Sequence, residues 1–293
     1  MARDRRVISQ PRNRFRSDCV TSQTMTYASP SEQLLIDYPR REVAVITLNR
    51  PDRLNALTNE LVAAITHALH GLATDRELRV IVMTGAGRGF CAGLDLAQPG
   101  DAGGGGGIPK AYEGQETFSG MIEAVRACRQ PVIAAVNGPV AGAGFGLTLA
   151  CDVRVASANA KFHVAAVKIG LSSGECGISY HLPRHIGSAR AFELMLTGRP
   201  IDAVEADRIG LVTRVVPEGE VLAAALETAD AICANSPFAV WMTKKVMWEN
   251  LDASFEQAIA LENRTQILAI GTKDAKEAMR AFVEKRTPTF TGE

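Results

Sequence analysis

The sequence predicts an α/β protein: a core of alternating strands and helices followed by an all-helical tail. Three observations carry that prediction. Nearly continuous apolar runs at residues 43–48 (VAVITL), 79–84 (RVIVMT) and 132–136 (VIAAV) read as strands buried on both faces. Segments with apolar residues at helical spacing separate them. After Pro217 the strand signals stop and four helix-like segments follow.

In chain order, residues 1–24 stand apart. Six arginines against two aspartates give them a net charge of +4, with too few apolar residues to fold alone. They are expected to be a disordered basic extension, with Met25 as the native start; an Arg- and Ser-rich organellar transit peptide is the other reading. The strand at 43–48 is ended by Asn49, Arg50, Pro51 and Asp52. A helix follows over 58–70, N-capped by Thr58, with Leu61, Ile65 and Leu69 on one face. After the strand at 79–84, the five consecutive glycines within 98–109 predict a mobile loop. Then come a helix at 112–128, strands at 132–136 and 152–157, and helices at 188–196 and 202–208. The tail segments are 219–234, 237–249, 253–270 and 273–285, with Ser254 and Gln257 spaced for a capping box. The expected organisation is therefore an extension (1–24), an α/β core (25–217) and a C-terminal helical region (218–293).

Composition narrows the function classes. The 293 residues include 32 basic and 32 acidic side chains, which excludes a protein held on nucleic acid by bulk charge. With residues 1–24 set aside, the remaining 26 basic and 30 acidic residues leave a body of charge −4, so any phosphate-binding charge must be local. No apolar run approaches the roughly 20 residues of a membrane span. Aromatics make up 5% of the chain, so the core must be built from Ala, Val, Leu and Ile. Six cysteines without a CxxC pair or zinc spacing, and no secretory signal, predict reduced buried thiols in a cytoplasmic protein and no metal site.

Two tempting motifs fail. The glycines at 85–89 follow a strand, but Phe90 occupies the third-glycine position of a dinucleotide fingerprint and no helix start follows. Residues 170–174 match G-x-S-x-G around Ser172. A nucleophile elbow needs an acid and then a histidine well downstream, whereas His181 and His185 are the last histidines and only Glu175 precedes them.

Two other segments share a more informative form: a buried strand, a glycine-rich turn, then a helical start. They are 80–84 leading into GFCAGLD (89–95), and 132–136 leading into NGPVAGAGFG (137–146). Such turns leave backbone N–H groups free, and two of them on one oxygen would form an oxyanion hole. Close backbone packing would select the same residues. The FCAGLD and PVIAAVNG motifs, the latter running on to Cys151 and Asp152, resemble the crotonase (enoyl-CoA hydratase/isomerase) superfamily. So do LNRP and NAL at 48–57, LTG at 196–198 and AFVEKR at 281–286, in family order over roughly residues 32–287.

The resemblance implies a spiral of repeated ββα units, a C-terminal helical region that forms homotrimers or dimers of trimers, and an acyl-CoA thioester as substrate. Coenzyme A then arrives as part of the substrate, with no separate cofactor. It further implies that the backbone N–H groups of Leu94 and Ala143 hold the thioester oxygen, that Asn55, Ala56, Leu57 and Ala92 lie along the coenzyme, and that Phe282 and Lys285 reach a neighbouring subunit's coenzyme. The family usually has glycine where Ala143 stands. The acids depart from the pattern: the two glutamates of typical hydratases fall at Gly146 and Ala166. A turn one residue longer instead brings Glu175 to the position of a catalytic aspartate in the family's dienoyl-CoA isomerases. Asp95 and Asp152 read as turn and cap residues. The expected function is an acyl-CoA enzyme with Glu175 as its acid/base, isomerisation being favoured over hydration because one group can serve twice. The alternatives are a non-catalytic acyl-CoA-binding protein, or a hydrolase or decarboxylase on the same scaffold.

Overall fold

A computed structural model describes residues 27–97 and 107–293. The expected extension at 1–24 and positions 98–106 of the expected loop lie outside the described residues. Residues 107–109, assigned from sequence to that loop, instead begin a helix.

The main sheet is built from β1 (Leu34–Arg40), β2 (Val43–Leu48), β3 (Val80–Gly85), β4 (Val132–Val136), β6 (Val153–Ser157) and β9 (Arg214–Val216), side by side in that order. Only β1 runs antiparallel. Alternation along β2 explains why it reads as continuously apolar. Ala44, Ile46 and Leu48 enter the larger core, beneath α1 (Asn59–Thr74) and α2 (Gly107–Ala127), while Val43 and Val45 enter a second core. That second core is closed by Val221, Ala224, Ala225 and Ala229 of α7 (Val221–Cys233). Thr58 caps α1 as expected, its Oγ1 accepting the Leu61 N–H at 3.1 Å.

A small second sheet joins β5 (Val140–Ala141), β7 (Lys161–His163) and β8 (Pro200–Asp202). Helices α3 (Gly142–Ala150) and α6 (Ala203–Arg208) pack against it, with α4 (Ile178–Ile186) on α3 and α5 (Ser188–Thr197) on α4. The tail contains α8 (Pro237–Asn250), α9 (Phe255–Ile270) and α10 (Lys273–Glu284), and the Ser254–Gln257 capping box is formed. Among the described cysteines all five are free, four of them buried.

The sequence reading misses β1, α4 and the short strands β5, β7, β8 and β9, each only two or three residues long. The β1 run LLIDYPR carries charge and a proline because the strand lies at the sheet edge with its alternate residues exposed. The α4 segment holds two histidines, an arginine and Pro183, and its apolar face contributes only Ile178, Leu182 and Ile186 to the core.

Since β2, β3, β4 and β6 run parallel, the glycine-rich turns after β3 and β4 emerge at the same, carboxyl edge of the sheet.

Candidate active site

At that edge three stretches of chain lie side by side. Residues 90–95 are flanked on one side by 54–57: Ala92 N–H donates to Leu54 O (2.9 Å), Leu57 N–H to Gly93 O (2.7 Å) and Asp95 N–H to Leu57 O (3.0 Å). On the other side Phe90 N–H donates to Pro139 O (3.0 Å) and Ala141 N–H to Cys91 O (2.9 Å). Leu57 and Leu94 therefore form a parallel bridge in which Leu57 supplies both hydrogen-bonding groups. By that geometry the N–H and C=O of Leu94 point away from residues 54–57. The Leu94 N–H has no acceptor among the described residues.

Ala143 is the second residue of α3, where a helix has no internal acceptor for its N–H. The peptide units leading to Leu94 and Ala143 are neighbours, since a Cβ placed on Gly142 would stand 3.8 Å from Gly93 Cα. The same position lies 3.4 Å from Glu175 Oε1. The structure thus brings together the two predicted N–H groups and the predicted acid. The Glu175 carboxyl has no hydrogen-bond or ion-pair partner among the described residues, and burial pushes its pKa above the ordinary carboxylate value.

Of the two positions without carboxylates, Gly146 is sterically closed. A Cβ on Gly146 would come within 2.4 Å of Cys176 O, so no side chain fits there without displacing the turn that carries Glu175. Ala166 is buried at the start of a 3-10 turn.

The residues expected along the coenzyme divide. Asn55 is fully buried in a left-handed conformation, φ 57°. Its side chain accepts the Arg50 N–H (2.8 Å) and donates to Ala86 O (3.0 Å) and Gly89 O (2.8 Å). Ala56 and Leu57 are buried as well. The Asn55 side chain braces the turn at 86–89, and the backbone of 54–57, not its side chains, bonds residues 92–95, whereas Ala92 is exposed. Phe282 and Lys285 are exposed on and just after α10 and are not part of the cluster within this chain.

Asp95 is held by Arg50, whose Nη2 lies 2.8 Å from its Oδ2 and keeps its pKa low. Asp152 receives Val132 N–H, Trp248 Nε1–H and Lys244 Nζ at the opposite edge of the sheet. Asp95 sits in the turn its context suggests, its Oδ1 accepting the Ala97 N–H at 3.1 Å, whereas Asp152, read as a cap, instead ties β4 to α8. Ser172 of the discarded elbow is exposed and accepts the Gly174 N–H within its own turn. His181 is buried and His185 half-buried, and burial with nearby arginines pushes their pKa values down to about 3 and about 4. Among the described residues no group of His, Cys, Asp and Glu could hold a metal.

Sequence reasoning missed Arg50, Gln115 and Cys176. Arg50 is visible only as part of the LNRP motif; the other two carry no signal, because their roles depend on the approach of α2 to the turn after residue 173.

The family model described as enoyl-CoA hydratase/isomerase matches residues 39–293. A Mycobacterium tuberculosis protein named "Probable enoyl-CoA hydratase EchA12" is 41% identical over 284 residues, covering 93% of this chain and 98% of that protein. The crystal structure of a probable enoyl-CoA hydratase/isomerase from Mycobacterium abscessus superposes with a TM-score of 0.82 at 40% identity, covering 89% of this chain and 99% of the other. That of an enoyl-CoA hydratase from Bacillus anthracis gives 0.85 at 35% identity, covering 89% and 100%. The crotonase fold expected from the motifs is thereby shown, and the chain belongs to the enoyl-CoA hydratase/isomerase family.

Proposed function

We propose that this enzyme moves a double bond along the acyl chain of an acyl-CoA thioester, with Glu175 as its one acid/base. The observation that carries the reading is the Glu175 carboxyl beside Gly142, without a partner among the described residues and close to the peptide units that carry the Leu94 and Ala143 N–H groups. With the thioester oxygen on those two N–H groups, Glu175 takes a proton from the acyl chain and electron density flows to that oxygen. Donors already in place stabilise the developing negative charge more than the neutral thioester. The same carboxyl then returns the proton to the carbon at the other end of the conjugated system. A carboxyl whose pKa is raised by burial is suited to both half-steps near neutral pH. Isomerisation is favoured over hydration because a second carboxylate to position water is absent at Gly146 and Ala166.

Coenzyme A enters as the carrier of the substrate, and no separate cofactor is invoked. Its path runs past exposed Ala92 and the backbone of residues 55–57, with Phe282 and Lys285 of a neighbouring subunit completing it. The chain is read as a basic extension (1–24), a catalytic core (25–217) and an oligomerising helical region (218–293).

The test is the interconversion of 3-enoyl- and 2-enoyl-CoA by the wild type and by Glu175→Gln. Loss of at least 100-fold in turnover with acyl-CoA binding retained supports the reading. Unchanged turnover in the variant overturns it, and tight binding without any product from the wild type favours a binding protein.

A further inference from the structure

We propose that Cys176 is a positioning residue: seated on Gly146 and held by Gln115, it fixes the Glu175 carboxyl against the start of α3. The inference rests on the reading of Glu175 as the proton-transferring acid.

Its first support is conformational. Cys176 has φ 45°, in the left-handed region that side chains with a Cβ rarely adopt, and Gly177 follows at φ 73°. Strain of this kind costs on the order of 1–3 kcal/mol and persists only where surrounding structure imposes it. Glycine would carry the same turn without that cost, so the side chain at 176 stands there against local backbone preference.

The second support is the seat. Gly142 and Gly146 lie four residues apart, on one face of α3. The acid turn runs along that face, with the Glu175 carboxyl next to Gly142 and the Cys176 carbonyl and Cβ next to Gly146. A Cβ on Gly146 would meet those two Cys176 atoms at 2.4 and 3.0 Å. One short helix therefore fixes both the carboxyl and the residue behind it.

The third support is the tether. Gln115, exposed on α2, donates Nε2–H to Cys176 Sγ at 3.7 Å, so the turn is held from a second helix. The thiol is no nucleophile, because burial and the neighbouring Glu175 carboxylate push it up to about 12. Its role is steric and hydrogen-bonding. Burial alone raises the Glu175 carboxyl, with no charged side chain contributing, so loosening this turn would expose the acid to water and return its pKa toward the ordinary range.

The experiment measures kcat, KM, the pH profile of kcat and Tm for Cys176→Gly, Cys176→Ser and Gln115→Leu, alongside Glu175→Gln. Cys176→Gly is expected to keep or raise Tm and hold KM within about two-fold. It should lower kcat about 10-fold as the carboxyl moves off its position, and shift the acidic limb of the profile downward. Cys176→Ser, which keeps shape and an acceptor, should recover most of the loss, and Gln115→Leu should show a smaller fall in kcat. A wild-type kcat and profile in Cys176→Gly overturns the proposal, as does a loss that follows Tm in both Cys176→Gly and Gln115→Leu. Should Glu175→Gln itself turn over normally, the acid assignment fails instead, and the two failures are told apart.

Discussion

Arg50 Nη2 lies 2.8 Å from Asp95 Oδ2 in a largely buried ion pair, one residue beyond the Leu57–Leu94 bridge. Arg50 also donates to the Ala56 carbonyl, so it grips both strands of the bridge that sets the Leu94 N–H. Removing one partner leaves a desolvated charge, which costs 3–5 kcal/mol at a fully buried pair; at this partly exposed one, Asp95→Asn should cost about 2 kcal/mol. The Asp95 pKa is lowered in the fold, chiefly by Arg50, so its contribution is fully present above the ordinary carboxylate value and lost as pH falls through the folded one. Urea titrations of wild type and Asp95→Asn should therefore differ at neutral pH and converge in acid.

Asp152 should behave as a structural residue remote from the chemistry. Its oxygens accept Val132 N–H (2.7 Å) and Trp248 Nε1–H (2.7 Å) and face Lys244 Nζ (2.8 Å), tying α8 to the amino ends of β4 and β6. Asp152→Ala leaves the buried Lys244 ammonium with the Gln130 carbonyl as its one partner among the described residues. A stability loss of about 3 kcal/mol or more is expected by chemical denaturation. The kcat of the folded fraction should stay within about two-fold of the wild type, and a specific collapse of turnover at full stability would contradict the assignment.

What was legible in the sequence follows from how local each feature is. The strands 43–48, 79–84 and 132–136 are visible because both their faces are buried, so nearly every residue is apolar. The caps at Thr58 and Ser254 need only a hydroxyl and its neighbours. Leu94, Ala143 and Glu175 are proposed from motifs and their spacing, although the distances among them depend on residues far apart in the chain. The bond from Gln115 to Cys176 spans 61 positions, and the seat of Cys176 on Gly146 depends on a glycine that sequence reads as a missing acid. The Asn55–Ala56–Leu57 segment shows the converse: the motif is conspicuous, yet its Asn55 side chain serves the scaffold.

Helix α9 predicts assembly. None of its 16 residues is buried within the chain, and Phe255, Ile259, Ile267, Leu268 and Ile270 stand exposed. Next to it, α10 exposes Met279, Phe282 and Val283. Apolar surface on this scale is expected to be covered by another subunit. Light scattering at micromolar concentration should give the mass of a trimer or a dimer of trimers. Ile267→Glu should shift that mass downward and, with Phe282 and Lys285 no longer delivered to a neighbour, raise KM for acyl-CoA. A monomeric wild type would refute the proposed assembly.

Glu175 should cost the fold stability in the form that chemistry needs. Burial raises its pKa, so the folded protein holds this proton more tightly than the unfolded chain does. The sign follows directly. The penalty is absent below the ordinary carboxylate value of 4.5, where both states are protonated. It grows as pH rises through that value and is complete above the raised folded pKa. Glu175→Gln, neutral at every pH, should therefore melt higher than the wild type at neutral pH, and the gap should narrow as the buffer is acidified. A variant that gains stability while losing turnover would identify Glu175 as a group held in an unfavourable place for its chemistry. Lower melting of the variant at neutral pH would mean that the carboxylate is solvated or paired in the native enzyme, and the acid/base assignment would lose its physical basis.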